Sequence, residues 1–112
     1  MLHVYGIKNC STVKKALTYL DEHHHEYQFH DFKKEPPTKT QIQTWLNTID
    51  WKVLLNMRGM TWRKLSDEEK NTINKTNAIA IMLEKPSIIK RPIIETGTET
   101  LVGFNEDEYA NL

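Results

Sequence analysis

The only cysteine of the chain, Cys10, follows a short apolar segment, Leu2–Ile7, and a polar turn. A helical apolar stripe begins just after it, so we expect a strand to end and a helix to start around the thiol. Unpaired amide N–H groups and the positive end of the helix dipole favour a thiolate at such a position. Cys10 is therefore a candidate reactive thiol. The alternative is a structural thiol, since free cysteine is among the most buried residue types.

Other residues with reactive side chains are less well placed. His3 and His30 could in principle form a cysteine–histidine pair, but neither has a spacing that identifies it as the partner. The run His23–His25 stands at the expected helix end, where adjacent side chains point in different directions and do not converge on one ion. We predict no metal site. A single cysteine also excludes an internal disulfide, so any resolving thiol comes from outside the chain.

Length and composition predict one domain over residues 1–112, with 38% hydrophobic residues. Fifteen lysines and arginines balance fifteen acidic residues. The chain therefore has no overall field that would attract nucleic acid or an anionic membrane surface. No segment approaches the roughly 18 apolar residues of a membrane span, and no signal-peptide pattern is present. We expect a cytoplasmic protein that binds neither nucleic acid nor membrane directly.

The first third of the chain predicts a βαβ unit. After the opening strand, a helix is expected from Cys10 to Asp21, and Glu26–Phe32 alternates aromatic and polar residues as a half-buried strand does. Such crossovers are right-handed and pair their strands in parallel, which places the thiol at the carboxyl edge of the sheet. The helical stripe consists of Val13, Ala16, Leu17 and Leu20.

A helical block follows the loop at Pro36-Pro37. Thr38 and Gln41 form a capping-box pattern for a helix from Lys39 to Ile49. The short segment Trp51–Leu55 fits either a helical turn or a strand, and Asn56–Leu65 is predicted to be a loop. Ser66 opens a helix that includes Ile73, and Thr76 or Asn77 caps the next one. The buried side of that last helix is predicted to be Ala78, Ile79, Met82 and Leu83.

The chain returns to β structure near its end. Proline cannot donate to a β ladder, so the strand is expected to start at Ile93, after Pro92. A turn near Gly97 leads into a second strand, Leu101–Phe104, and the acidic tail predicts a short helix.

Three segments together carry a resemblance: YGIKNC at residues 5–10, WRKL at 62–65 and IIKRPI at 88–93. In this order and at these separations they resemble the arsenate reductase (ArsC)/Spx family, most of all its YffB-like branch. The resemblance spans nearly the whole chain. It implies an α/β, thioredoxin-like fold, with a central mixed sheet of about four strands and a helical insertion between the βαβ and ββ halves. It also implies a cis-proline that faces the cysteine, at the position of Pro92.

The same resemblance implies roles for individual residues. Cys10 matches the nucleophile, and Arg91 matches the arginine before the cis-proline, which holds the thiolate and an oxyanion. Lys8 could stabilise the thiolate further, and Gly59 permits a turn that would aim Arg58 at the thiol. Solvent-facing lysine and arginine side chains are the alternative for all three cations. We predict Cys10 and Arg91 as catalytic residues and Lys8, Arg58 and Pro92 as substrate-binding residues.

The chain departs from the family's arsenate reductases at several positions. Gly6 stands where they carry a histidine, Asn56 aligns with an arginine, and a late arginine is missing near Gly103. These differences argue against arsenate as the substrate. Val13 replaces the second cysteine of the Cys-x-x-Cys switch found in many Spx regulators, which excludes a disulfide switch of that kind.

The resemblance therefore predicts a glutathione-dependent thiol oxidoreductase with a single nucleophilic cysteine. Glutathione is the expected co-substrate, glutaredoxin a further expected partner, and no tightly bound cofactor is predicted. Two alternatives remain: an arsenate reductase coupled to glutaredoxin, and a non-catalytic Spx-like regulator that binds RNA polymerase.

Overall fold

The computed structural model describes all residues, 1–112, and divides them into two compact units. Unit 1 combines residues 1–35 with residues 91–112, and unit 2 consists of residues 36–90. Unit 2 is thus inserted between the two halves of unit 1 and contains only helices, turns and one isolated β-bridge. This is the helical insertion expected between the βαβ and ββ halves. The single domain over residues 1–112 stays a prediction.

Unit 1 is built on a four-stranded mixed sheet. The first two strands pair in parallel, as the βαβ prediction required, whereas the other pairs are antiparallel. This topology confirms the predicted thioredoxin-like fold. The strands, in the spatial order β2-β1-β3-β4, are β1 (Leu2–Gly6), β2 (Tyr27–Asp31), β3 (Ile93–Glu95) and β4 (Thr100–Val102).

Helix α1 (Ser11–Glu22) covers one face of this sheet and begins directly after Cys10. Val13, Ala16 and Leu20 are fully buried, so the helix packs through the predicted stripe. Leu17, the fourth member of the stripe, is only partly buried at the rim of the same core.

The acidic tail contributes to that core through the buried Tyr109 and, at its rim, the partly buried Leu112. It forms a single-turn helix, α7 (Glu106–Tyr109), and the Tyr109 ring is 1% exposed among Val4, Ile94 and Leu101. The Tyr109 hydroxyl donates to the carbonyl of Gly103 at 2.9 Å. The tail thus stabilises unit 1, a role that its composition did not indicate.

Unit 2 begins with the predicted capping box. The Thr38 side chain accepts from the amide of Gln41 at 3.1 Å, and the Gln41 side chain accepts from the Thr38 amide at 2.9 Å. The unit contains α2 (Lys39–Leu46), α3 (Trp51–Leu54), α4 (Met60–Arg63), α5 (Asp67–Asn71), α6 (Lys75–Glu84) and a 3-10 turn at Pro86–Ile88. No helix of the chain is long and apolar enough to span a membrane.

Several predictions for unit 2 are wrong in detail. Helix α2 ends at Leu46 rather than Ile49. The segment Asn56–Leu65, predicted to be a loop, contains α4. The cap of α6 is Asn74, rather than Thr76 or Asn77. The Asn74 side chain accepts a hydrogen bond from the amide of Asn77 at 2.9 Å. Segments of four or five residues contain little more than one helical turn, so their apolar spacing cannot repeat and does not reveal them. Ile73 lies outside α5, and Leu83, expected in the core, is 36% exposed.

Candidate active site

Cys10 occupies the N-cap position of α1, four residues beyond the end of β1. Its backbone is extended, with φ −135° and ψ 126°, and its carbonyl accepts from the amide of Lys14 at 3.0 Å. The first amides of a helix have no partner within it, and at this position they surround the thiol. The residue as a whole is partly exposed.

The surroundings of Cys10 favour the thiolate. Partial burial alone would raise the thiol pKa, but the Val13 amide, the Arg91 guanidinium and the Thr12 amide outweigh it, so the pKa lies below its ordinary value of 9.0. Arg91 acts both as a hydrogen-bond donor to the sulfur and as a nearby positive charge. The Cys10 side chain makes no capping hydrogen bond. Nearby amides stabilise the sulfur more strongly as a thiolate than as a neutral thiol.

Arg91 reaches the sulfur from the segment that leads into β3. The Arg91-Pro92 peptide is cis, as the resemblance implied. Pro92 is buried, and its carbonyl accepts from the amide of Gly103 at 2.8 Å. Extending the β1–β3 register, in which Tyr5 faces Ile93, by one residue places Gly6 opposite Pro92. The structure thus brings two predicted catalytic residues, Cys10 and Arg91, together at this edge of unit 1.

Gly6 packs tightly between these parts of the site. A Cβ atom at Gly6 would lie 3.0 Å from Cγ2 of Val13 and 3.8 Å from Cβ of Arg91. The space that a histidine would need at this position is therefore already occupied by the buried Val13 side chain.

The other predicted binding residues are less constrained. Lys8 is exposed in the turn after β1 and is not among the groups that lower the thiol pKa. Arg58 is exposed in unit 2, where its backbone amide donates to Oδ1 of Asn56 at 3.1 Å. A substrate-binding role for either residue stays a prediction.

The two histidines considered as partners of the thiol contact each other instead. His3 Nδ1 and His30 Nε2 lie 2.9 Å apart, and the Tyr5 ring stacks on His30 with ring centres 4.5 Å apart. His30 Nδ1 also lies 3.8 Å from a carboxylate oxygen of Glu35. Neither imidazole is among the groups that act on Cys10. The sequence did not indicate this cluster, because its members come from strands paired at long range.

Comparison with known proteins assigns the family. The model of the ArsC family matches residues 5–112, so the chain belongs to that family. It is 44% identical over 109 residues to an uncharacterized protein of Haemophilus influenzae, covering 97% of this chain and 96% of that protein. It is 32% identical over 110 residues to the global transcriptional regulator Spx 2 of Lactococcus lactis, covering 96% of this chain and 83% of that protein.

Solved structures agree in fold. The structure of the YFFB protein matches with a TM-score of 0.95 and 44% identity, covering 99% of this chain and 97% of the other. An arsenate reductase (ArsC) related protein from Brucella melitensis matches with a TM-score of 0.81 and 39% identity, covering 98% of this chain and 92% of the other. The predicted family and fold are confirmed.

Proposed function

We propose that this ArsC-family protein is a glutathione-dependent thiol oxidoreductase in which Cys10 is the nucleophile. The observation that carries the proposal is the convergence of the Val13 and Thr12 amides and the Arg91 guanidinium on the sulfur, which lowers the thiol pKa against the effect of burial. Thiol–disulfide exchange proceeds through the thiolate, and these groups favour that form of Cys10.

The proposed cycle has two exchange steps. The Cys10 thiolate attacks the glutathione sulfur of a disulfide between glutathione and a substrate thiol. The S–S bond breaks, and the substrate leaves as a thiolate that takes a proton from solvent. A second glutathione thiolate then attacks the glutathione sulfur bound to Cys10, which releases oxidised glutathione and restores the Cys10 thiolate. Electrons balance, because one substrate sulfur is reduced to a thiol while one glutathione thiol is oxidised; the other half of the oxidised glutathione comes from the substrate disulfide.

The chain itself requires an external thiol for the second step. Cys10 is its only cysteine, so no internal disulfide can form. Arg91 stabilises the thiolate in both steps through a charge-assisted hydrogen bond. Lys8 and Arg58 are the remaining candidates for binding the carboxylates of glutathione.

The test has two parts. Incubation with oxidised glutathione should add one glutathione to the intact protein, seen by mass spectrometry, and Cys10→Ser should abolish the adduct. In a coupled assay of reduction of a glutathione mixed disulfide, the same variant should lose turnover. Absence of the adduct from the parent protein, or full turnover by Cys10→Ser, would refute the proposal. The buried Gly6–Val13 contact and the lack of a histidine at residue 6 weigh against arsenate, so addition of arsenate should produce no glutaredoxin-coupled NADPH consumption.

A second candidate is transcriptional regulation. The 32% identity to Spx 2 of Lactococcus lactis favours it. Under this candidate the partner is RNA polymerase, and the thiol chemistry is dispensable. Specific binding of purified RNA polymerase by both the parent protein and Cys10→Ala would support regulation, whereas the oxidoreductase proposal predicts no such binding.

A further inference from the structure

We infer that Gly6 is a positioning residue: its missing side chain lets the first turn of α1 and Arg91 close together on the sulfur of Cys10. This inference rests on the proposed role of the thiolate. It assigns a function to the position where the chain departs from the histidine of the family's arsenate reductases.

The first support is the spacing around Gly6. A Cβ atom on residue 6 would lie 3.0 Å from Cγ2 of Val13, which is shorter than the carbon–carbon optimum of about 3.5–4.0 Å. Val13 is fully buried, and a β-branched side chain in a helix has essentially one χ1 rotamer. The side chain therefore does not rotate away, and relief comes from displacement of the first turn of α1.

The second support is that Gly6 touches both partners of the thiol. Val13 supplies one of the amides that face the sulfur, and Arg91, whose Cβ would lie 3.8 Å from the added atom, supplies the guanidinium. A methyl group at Gly6 would press on Val13 and meet Cβ of Arg91 at an ordinary contact distance, so relief of the Val13 contact moves the helix turn that carries Cys10 relative to Arg91. The expected result is a longer distance from guanidinium to sulfur and a less stabilised thiolate.

Backbone conformation does not account for the glycine. The positive-φ glycines are Gly97 and Gly103, and Gly6 is not one of them. A residue with a side chain can adopt the backbone conformation of Gly6. Glycine is therefore needed at this position because there is no room for a side chain beside Val13.

The rate of alkylation by iodoacetamide, measured against pH, tests the inference. Gly6→Ala should move the inflection to higher pH and slow alkylation about three- to tenfold at a fixed pH below it. In the background of Val13→Ala, where the clashing Cγ2 is gone, Gly6→Ala should have no further effect. In the background of Arg91→Ala the effect should be smaller but still present, because the amides of the α1 turn are displaced whether or not the guanidinium is there.

The control is Gly97→Ala, which strains the left-handed backbone of the β3–β4 turn without any atom within 4 Å of the new methyl group. It should destabilise the protein and leave the inflection unchanged. A folded Gly6→Ala protein with the parent's inflection would overturn the inference. If Gly6→Ala does not fold, a higher inflection for Gly6→Ala/Val13→Ala than for Val13→Ala would overturn it.

Alkylation reports ionisation of the thiol whatever its partner is. A shifted inflection in Gly6→Ala, together with no glutathione adduct on the parent protein, would retain the positioning role and reject glutathione. An adduct on the parent protein with no shift of the inflection in Gly6→Ala would retain glutathione and reject the positioning role of Gly6.

Discussion

The Tyr5 hydroxyl donates to Oε1 of Glu95 at 2.8 Å, joining β1 to β3 across the centre of the sheet. Tyr5 is 7% exposed and Glu95 is partly exposed, so this hydrogen bond is partly buried. Bonds to a charged acceptor in such surroundings stabilise more than those at the surface. The pair thus reinforces the two strands whose ends lead to Cys10 and to Arg91.

Tyr5→Phe should lower the free energy of unfolding by about 1–2 kcal/mol, because the Glu95 carboxylate loses this donor. Tyr27→Phe is the matched control: its hydroxyl donates to Oδ1 of Asp21 at 3.0 Å, but at an exposed position, and its loss should cost less than about 0.5 kcal/mol. Denaturant unfolding measures both values. Equal losses in the two variants would contradict the role given to the Tyr5–Glu95 pair.

Alkaline pH should destabilise the protein. Burial first, and then the neighbouring carboxylates of Glu95 and Glu35, raise the pKa of Tyr5 above 10.0, and burial raises that of Tyr109 as well. The unfolded chain loses these protons near pH 10 while the folded protein still holds them. The stabilisation is therefore complete below pH 10 and decreases as pH rises beyond it. Thermal melts between pH 8 and 11.5 should show this decrease, and Tyr5→Phe/Tyr109→Phe should reduce its slope.

Arg91→Ala should raise the pKa of the Cys10 thiol, because the thiolate loses both a hydrogen bond and a nearby positive charge. Alkylation at a fixed pH below the inflection should slow about tenfold. Arg63→Ala, at an exposed position in α4, is the matched control and should leave the profile unchanged. An Arg91→Ala profile that coincides with that of the control would exclude Arg91 from the site.

Tyr109→Ala should destabilise the protein by about 3–5 kcal/mol, since it removes a fully buried ring from the core. Tyr109→Phe keeps the ring and loses only the hydrogen bond to the Gly103 carbonyl, which should cost about 1–2 kcal/mol. Chemical denaturation distinguishes the two effects. A small loss in Tyr109→Ala would mean that the tail does not support unit 1.

The sequence predicted those elements that have a complete local signal. Helix α1 has a full apolar stripe after a turn, and α2 has a capping box whose two residues stand three positions apart. Helix α4 was missed because a single turn cannot show a repeating apolar pattern, and the Asn74 cap was missed because several polar residues near it could have been the cap. The role of Tyr109 depends on packing against residues far away in the chain.

The site could be predicted only in part for the same reason. The position of Cys10 follows from the local strand–turn–helix pattern, and Arg91 required the family resemblance. The contact of Gly6 with Val13 depends on how closely the helix approaches the strand. The pairing of His3 with His30 depends on the register of two strands. Neither distance is encoded in residue spacing alone.

The insertion of unit 2 between β2 and β3 has a consequence for the growing polypeptide. Cys10 and its helix are synthesised before residues 36–90, whereas Arg91 and β3 are synthesised after them. A growing chain that has not yet reached residue 91 contains the residues of α1 but not the Arg91 guanidinium. The nascent thiol therefore lacks its cation until the segment that leads into β3 has been made.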